Sequence, residues 1–369
     1  MKQFIKQYFY VVYWFLIRVK SVWRLLVDKS LTASETCFPE KCNCSRTRWN
    51  IFCQQLWHII RYGGPNNFYF LYGLDIKGFH IASDYVDYSE FVRRRDYLNR
   101  IYPDSSVAIL RNKFLFGLIA RALKITTPRD IGIVEDGKLY LFDKSIHVSL
   151  EEYVETNQAD VFIKSINGEC ADGVYHLEFD YGVIKINGVL CNFEDLQVMT
   201  ANEKFILQEK IYQAKALAAL HPYSINTIRL ETVYNYKEKR IEILPPLLRV
   251  GTNKNEVDNW AAGGFAIGID VEKKCLRKYG FYKPAYGTKA VRHPDTSILF
   301  EGYPIPFLEE AIEAAKRFHS YLTDVHSIGW DIAITDEGPC FVEGNDNWEI
   351  SLVQVCSHGL MDDFKRLFY

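Results

Sequence analysis

The chain has 369 residues, of which 48% are hydrophobic and 24% charged, and its net charge of −2 gives no electrostatic case for nucleic acid as a partner. That length suits two or three folded lobes. Aromatic residues reach 15% but are spread along the chain, a distribution of packed cores rather than of a stacking platform.

The chain opens with an unbroken apolar and aromatic run of ten residues, Tyr8 to Ile17, too short to span a bilayer. Lys2, Lys6, Arg18, Lys20, Arg24 and Lys29 surround it, and no small-residue cleavage site follows. Residues 1–29 therefore suit a helix lying on an anionic membrane surface, or equally one packed on the protein's own body or on a partner. The nine cysteines, an odd number, point to free thiols in a reducing compartment. Cys37, Cys42, Cys44 and Cys53 cluster without the paired spacing of a structural zinc site. Helices dominate residues 1–60, and Gly63-Gly64-Pro65-Asn66-Asn67 breaks the pattern.

Helical periodicity returns over 89–98 and 112–123, where Leu115, Leu118, Ile119 and Ala122 share one face. Two apolar runs around Glu135-Asp136-Gly137 predict a hairpin. A short apolar strand then ends in Lys164 and enters a polar loop over 165–173 that contains Ser165, Gly168 and Gly173. Asn187-Gly188 marks a hairpin with a type I′ turn, and a helix is expected over 193–200. Further strands are expected over 205–208, 226–234 and 241–248, and an amphipathic helix over 308–322. The last hairpin runs over 329–345 and turns near Glu337. That turn sets Asp331 across from Glu343, with Asn345 on the same face, so that two carboxylates and an amide oxygen converge as Mg²⁺ requires. The fold class is α+β with mostly antiparallel sheets after a helical N-terminal region.

The order of these pieces resembles the ATP-grasp superfamily, and the strings after residue 226 resemble its sugar-transfer-associated family of bacterial polysaccharide clusters. Asn226-Thr227-Ile228-Arg229, Leu248-Arg249-Val250-Gly251, Val257-Asp258-Asn259, Ala262-Gly263-Gly264, Gly329-Trp330-Asp331 and Glu343-Gly344-Asn345 carry the likeness. The resemblance implies an ATP-grasp fold, two α/β lobes enclosing ATP. It covers about residues 105–355 and leaves the helical region over 1–90 unexplained; the rest divides into a preceding lobe part over 91–147, a central lobe over 148–212 and a C-terminal lobe over 213–369. It assigns Lys113 and Lys164 to the ATP phosphates, with Ser165, Gly168 and Gly173 in the loop that covers them. Gln208, Glu209, Lys210 and Tyr212 fall at the adenine linker, and Asn226 or Thr227 stands where the family often has an acidic ribose ligand. Arg229 and Arg249, with Lys164, would steady the transferring phosphoryl group; Asp331, Glu343 and Asn345 would hold Mg²⁺; Asp258, Asn259, Gly263 and Gly264 would meet substrate. One departure is Asp346-Asn347-Trp348-Glu349, where the family's pattern continues Ala-Arg-Pro-Gly; this stretch is expected to face the acceptor.

The resemblance implies a ligase that activates a carboxylate with ATP for attack by an amine or other nucleophile, acting on a small or lipid-linked sugar. A phosphotransferase using the same nucleotide site and a non-catalytic membrane-docked scaffold stay open beside it. The implied location is cytoplasmic, including the inner face of the membrane; the sequence leaves the oligomeric state undefined.

Overall fold

The computed structural model describes residues 2–102, 106–168, 173–253, 263–284 and 288–369, with side chains from residue 12 onward apart from Cys42. Asp258 and Asn259, expected at the substrate, lie outside the described residues, as do four positions of the loop after Lys164.

Six helices come first: α1 (Lys2–Val27), α2 (Ser30–Ala33), α3 (Arg48–Tyr62), α4 (Tyr88–Asn99), α5 (Val107–Arg111) and α6 (Lys113–Ala122). Local chemistry fixes their ends. The Thr47 hydroxyl accepts from the Asn50 N–H at the start of α3, and Gly63, at φ +96°, closes it in the left-handed conformation. Asp87 caps α4 by accepting from the N–H groups of Ser89 (2.9 Å) and Glu90 (3.1 Å).

The first sheet collects β1 (Asp130–Glu135), β2 (Lys138–Leu141), β3 (Ile146–Ser149), β4 (Gln158–Ser165), β5 (Val174–Asp180), β6 (Val183–Ile186), β7 (Val189–Cys191) and β8 (Phe205–Glu209). All pairings are antiparallel, in the order β3-β2-β1-β8-β4-β5-β6-β7. Asn187 and Gly188 both have positive φ, as the type I′ turn between β6 and β7 demands. Val161, Ile163, Leu177 and Phe179 pack against α7 (Leu150–Thr156) and α8 (Phe193–Met199). The alternate positions Asp160, Phe162 and Lys164 therefore point to the opposite face. Because β1 to β3 join this sheet, the boundary expected at residue 147 falls inside it.

After α9 (Lys215–Leu220), the second sheet contains β9 (Thr227–Asn235), β10 (Arg240–Ile243), β11 (Leu247–Val250), β12 (Phe265–Asp270), β13 (Cys275–Tyr282) and β14 (Lys289–Ala290). Beyond α10 (Leu308–Ser320) it adds β15 (Ser327–Thr335) and β16 (Gly338–Asn345), giving the order β14-β13-β12-β11-β9-β15-β16 with β10 also on β9. The single strand expected over 241–248 is two, because Pro245 and Pro246 have no N–H to donate to a ladder. One face, with Ile228, Leu230 and Ile332, packs on α6 and α10. The other, with Val233, Leu247 and Ala266, is covered by α4, α11 (Ile350–Cys356), α12 (Met361–Phe368) and residues 69–86. The helical N-terminal region thus shares a core with the C-terminal lobe. Among the described residues, no helix is long and apolar enough to cross a membrane, and the described cysteines are all free thiols.

Candidate active site

Asp331, in the middle of β15, faces Arg229 of β9 on one side and Glu343 of β16 on the other. Arg229 grips its carboxylate through Nε (2.7 Å) and Nη2 (3.0 Å), and Arg249 from β11 reaches the same group at 3.3 Å. The Asn345 amide donates to Glu343 Oε1 (3.1 Å) and Asp331 Oδ2 (3.4 Å). Asp331 is only 2% exposed.

The Asp331–Glu343 pairing depends on an irregularity. The turn between the strands is Asp336-Glu337, which sets Thr335 against Gly338 and Ile332 against Phe341. Continued regularly, that register would place Asp331 opposite Val342. A shift between Asp331 and Ile332 instead bulges Val342 out and brings Glu343 opposite Asp331. Phe341 and Glu343, two residues apart, consequently serve opposite faces: Phe341 packs in the core beside Trp330, and Glu343 joins the site.

Burial opposes charge on both acids. For Asp331 the guanidinium groups of Arg229 and Arg249 outweigh burial and hold its pKa below the usual carboxylate value. Glu343 has burial and then the Asp331 charge against it, and its pKa is raised.

Lys164 looks into this cluster from the open face of the first sheet. Burial lowers its pKa to about 8, against the attraction of Glu343 and with further lowering from Lys113. Lys113, the first residue of α6, donates its Nζ to the Gly168 carbonyl and its backbone N–H to that of Ile166 (3.0 Å). Asn112, the α6 cap, donates to Asn167 Oδ1 at 3.3 Å, so the loop after β4 is docked on the start of α6. Ser165 donates its N–H to the Gly173 carbonyl (2.7 Å) and its hydroxyl to Glu203 (2.6 Å). Gly173 has φ +66°, and a Cβ there would lie 2.7 Å from that of Ser165, so the loop base requires glycine. Arg111, Lys113, Gly168, Glu343 and Asn345 line one cleft.

The other expected site residues make contacts of their own. Gln208 is buried and donates to Asp130 (2.7 Å), which Arg121 also holds. Glu209 pairs with Arg129 at 2.9 Å, Lys210 with Asp160 at 2.7 Å, and the Tyr212 ring is exposed. Asn226 is fully enclosed, its amide donating to Gln213 Oε1 and the carbonyls of Leu217 and His221, which braces the entry to β9. Thr227, buried, opens β9 opposite Arg249. The Gly263 carbonyl accepts from Thr252 Oγ1 (3.0 Å), and Gly264 leads into β12.

The segment expected to face the acceptor turns mostly inward. Arg111 holds Asp346 with two bonds (2.9 and 2.8 Å), and Trp348 is buried against Phe91, with ring centroids 4.5 Å apart. The Trp348 carbonyl accepts from Arg95 of α4. Two further features carry no sequence signal. Glu231 lies buried on the same face as Arg229. Asp160, His176 and Glu178 gather on the first sheet with ligand atoms within 4.8 Å, where Lys210 already supplies a cation.

Residues 92–367 match the family model described as sugar-transfer associated ATP-grasp. No curated protein matches the chain. Among solved structures, the chain resembles the ADP complex of N5-carboxyaminoimidazole ribonucleotide synthetase at 11% identity and TM-score 0.37, covering 65% of this chain and 45% of that one. The D-alanine-D-alanine ligase from Helicobacter pylori is similar at 15% identity and TM-score 0.39, with 71% and 61% covered. The N5-carboxyaminoimidazole ribonucleotide synthetase from Thermus thermophilus follows at 14% identity and TM-score 0.36, with 70% and 51% covered. The chain spans less than two thirds of the length of each.

Proposed function

The chain belongs to the sugar-transfer-associated ATP-grasp family, and on that premise we propose that it is an ATP- and Mg²⁺-dependent ligase. It activates a carboxylate as an acyl phosphate, which an amine or other nucleophile captures with release of phosphate. Its substrate is a small or lipid-linked sugar of cell-surface polysaccharide or glycoconjugate assembly, a context that rests on the family association.

The observation that carries the reading is the meeting of Asp331, Glu343 and Asn345 with Arg229, Arg249 and Lys164. The donor set fits a hard divalent ion. Two buried carboxylates are pressed together at the expense of the Glu343 pKa, a strain that a cation relieves. Carboxylate oxygens have lone pairs beyond those given to arginine, and a half-turn of the Asn345 amide presents its oxygen. Asp331, Glu343 and Asn345 would hold Mg²⁺, which supplies neutralising charge for the nucleotide phosphates. Lys113 and Lys164 bind phosphate oxygens, and Gly168 and its loop cover them. Arg229 and Arg249 exchange the Asp331 carboxylate for the oxygens of the transferring phosphoryl group, where positioning and charge supply the catalysis.

The test is the thermal midpoint with and without Mg-ATP. At about 100 times its dissociation constant the nucleotide adds roughly 2.7 kcal/mol to the parent. Lys164→Ala and Glu343→Ala each lose that shift; if both keep it, the site assignment fails. Phosphate released together with a joined product supports the ligase, whereas a phosphorylated acceptor replaces it with a phosphotransferase.

A further inference from the structure

The two long N-terminal helices turn apolar faces outward. α1 presents Arg18, Ser21 and Leu25 toward α3, and much of that contact is polar: Arg18 Nε donates to the Ile60 carbonyl (3.1 Å) and Ser21 Oγ to that of Gly63 (2.7 Å). Its outer face carries Tyr13, Phe15, Leu16, Val19, Trp23 and Leu26, with Trp23 65% and Leu26 64% exposed. α3 is similarly arranged. Ile51, Gln55 and Ile59 face inward, and Gln55 is buried with its amide on the carbonyls of Leu31 and Asn66. Trp49, Cys53, Trp57 and Ile60 form an exposed stripe, Trp57 at 57%.

The charge of this platform is one-sided. α1 contains five basic residues and no acid, and α3 contains two basic residues and no acid. Lys20 and Arg24 sit among the outward rings. An exposed apolar surface of this kind marks an interaction site. Basic side chains bordering tryptophan and tyrosine suit the boundary between headgroups and acyl chains, where those rings settle. A second copy of the chain would bring two acid-free faces together against their mutual repulsion, while an anionic lipid surface complements them. No described helix is long and apolar enough to cross a membrane, so the helices would lie in the plane of the surface.

We propose that α1 and α3 form a platform that docks the protein on an anionic bilayer. The platform is fixed to the lobe that bears the site: Gln55 holds Asn66, and residues 69–86 share a core with α11 and α12. Docking therefore holds that lobe at the membrane. The inference does not rest on the ligase reading, and its test uses no nucleotide.

The full chain is sedimented with vesicles of phosphatidylcholine alone and of phosphatidylcholine with one third phosphatidylglycerol. Pelleting with the anionic vesicles, weakened by salt and accompanied by a blue shift of tryptophan fluorescence, is the expected result. Lys20→Glu with Arg24→Glu lowers binding by about tenfold or more, and Trp23→Ser with Trp57→Ser lowers it comparably, with the thermal midpoint of both variants unchanged. Failure to pellet, equal binding to neutral vesicles, or a concentration-dependent dimer abolished by the same substitutions would each overturn the proposal.

Discussion

Glu231 shows how strongly one side chain can depend on what covers its strand. It projects from β9 two residues beyond Arg229, is enclosed, and leaves one carboxylate oxygen without a partner. Burial pushes its pKa up to about 8; Arg229 opposes the shift and Asp331 adds to it. In the unfolded chain the group loses its proton near pH 4.5. Above that value the folded form binds a proton that the unfolded form lacks, so this contribution is complete below about pH 4.5 and is lost as pH rises through about 8. Glu231→Gln removes the titration. Urea midpoints at pH 5 and 8 should show the variant losing less stability than the parent, by about 1–3 kcal/mol; parallel losses would mean that Glu231 is already charged. The residue is not legible in the sequence, because an Arg-x-Glu alternation says which side chains share a face and nothing of what lies over them. Asp331 and Glu343 are legible, since acids placed symmetrically about a turn announce a cross-strand pair.

At the scale of elements, that same pair meets for a reason the sequence does not show. Placing the turn at Glu337 leads to the observed partners, yet the ladder starts from Asp336-Glu337 and reaches them only through the bulge at Val342. Hydrophobic alternation cannot report a bulge, because the extra residue merely shifts the pattern by one. The same face of the hairpin is fitted just as closely two residues before Asp331. Trp348 lies over Gly329, and a Cβ at Gly329 would stand 2.7 Å from the Trp348 Cβ and 3.4 Å from Arg229 Nη1. The near neighbour is the root of a buried side chain, not a flexible tip, so the contact cannot be relieved by a rotamer change. Gly329→Ala should therefore cost about 1–3 kcal/mol in denaturant unfolding. Gly64→Ala, with nothing within 4 Å of the added atom, is the control and should be near neutral. An equal effect of the two would remove the packing account of the 346–349 segment. That segment also explains the departure after Glu343-Gly344-Asn345: Asp346 serves Arg111, and Trp348 seats α4. A sequence can show that a motif has changed, but the partner it has changed toward lies some 250 positions away, as in the Arg95 bond to Trp348.

Across the whole molecule, the helical N-terminal region is two things joined in series. α1 is held by a small cluster around Leu25, Leu31 and Ile59 and by the bonds of Arg18 and Ser21. Residues 69–98 are different, because Tyr72, Leu74, Phe91 and Leu98 complete the core that contains Trp348, Val353 and Phe364. Gln354 fastens them, accepting from the Val86 N–H (2.8 Å) and donating to its carbonyl (3.1 Å). The sequence shows a break at 63–67 but not that the two sides pack on different bodies, since helical periodicity records that a face is buried and not against which partner. Two truncations separate the halves. Removing residues 2–27 should leave one cooperative thermal transition and the Mg-ATP shift, while vesicle binding falls. Removing residues 2–87 takes away Tyr69, Leu71, Tyr72, Leu74, Tyr85 and Val86 from the core they share with α4, α11 and α12, and should abolish cooperative unfolding, because the apolar surface exposed there has no other cover. If the shorter deletion also abolished the transition, α1 would be part of the core that forms the site, and its outward aromatic face would need a structural explanation. If the longer deletion still melted cooperatively, the second sheet would stand without the N-terminal helices, and the shared core would be a docking contact between separable units.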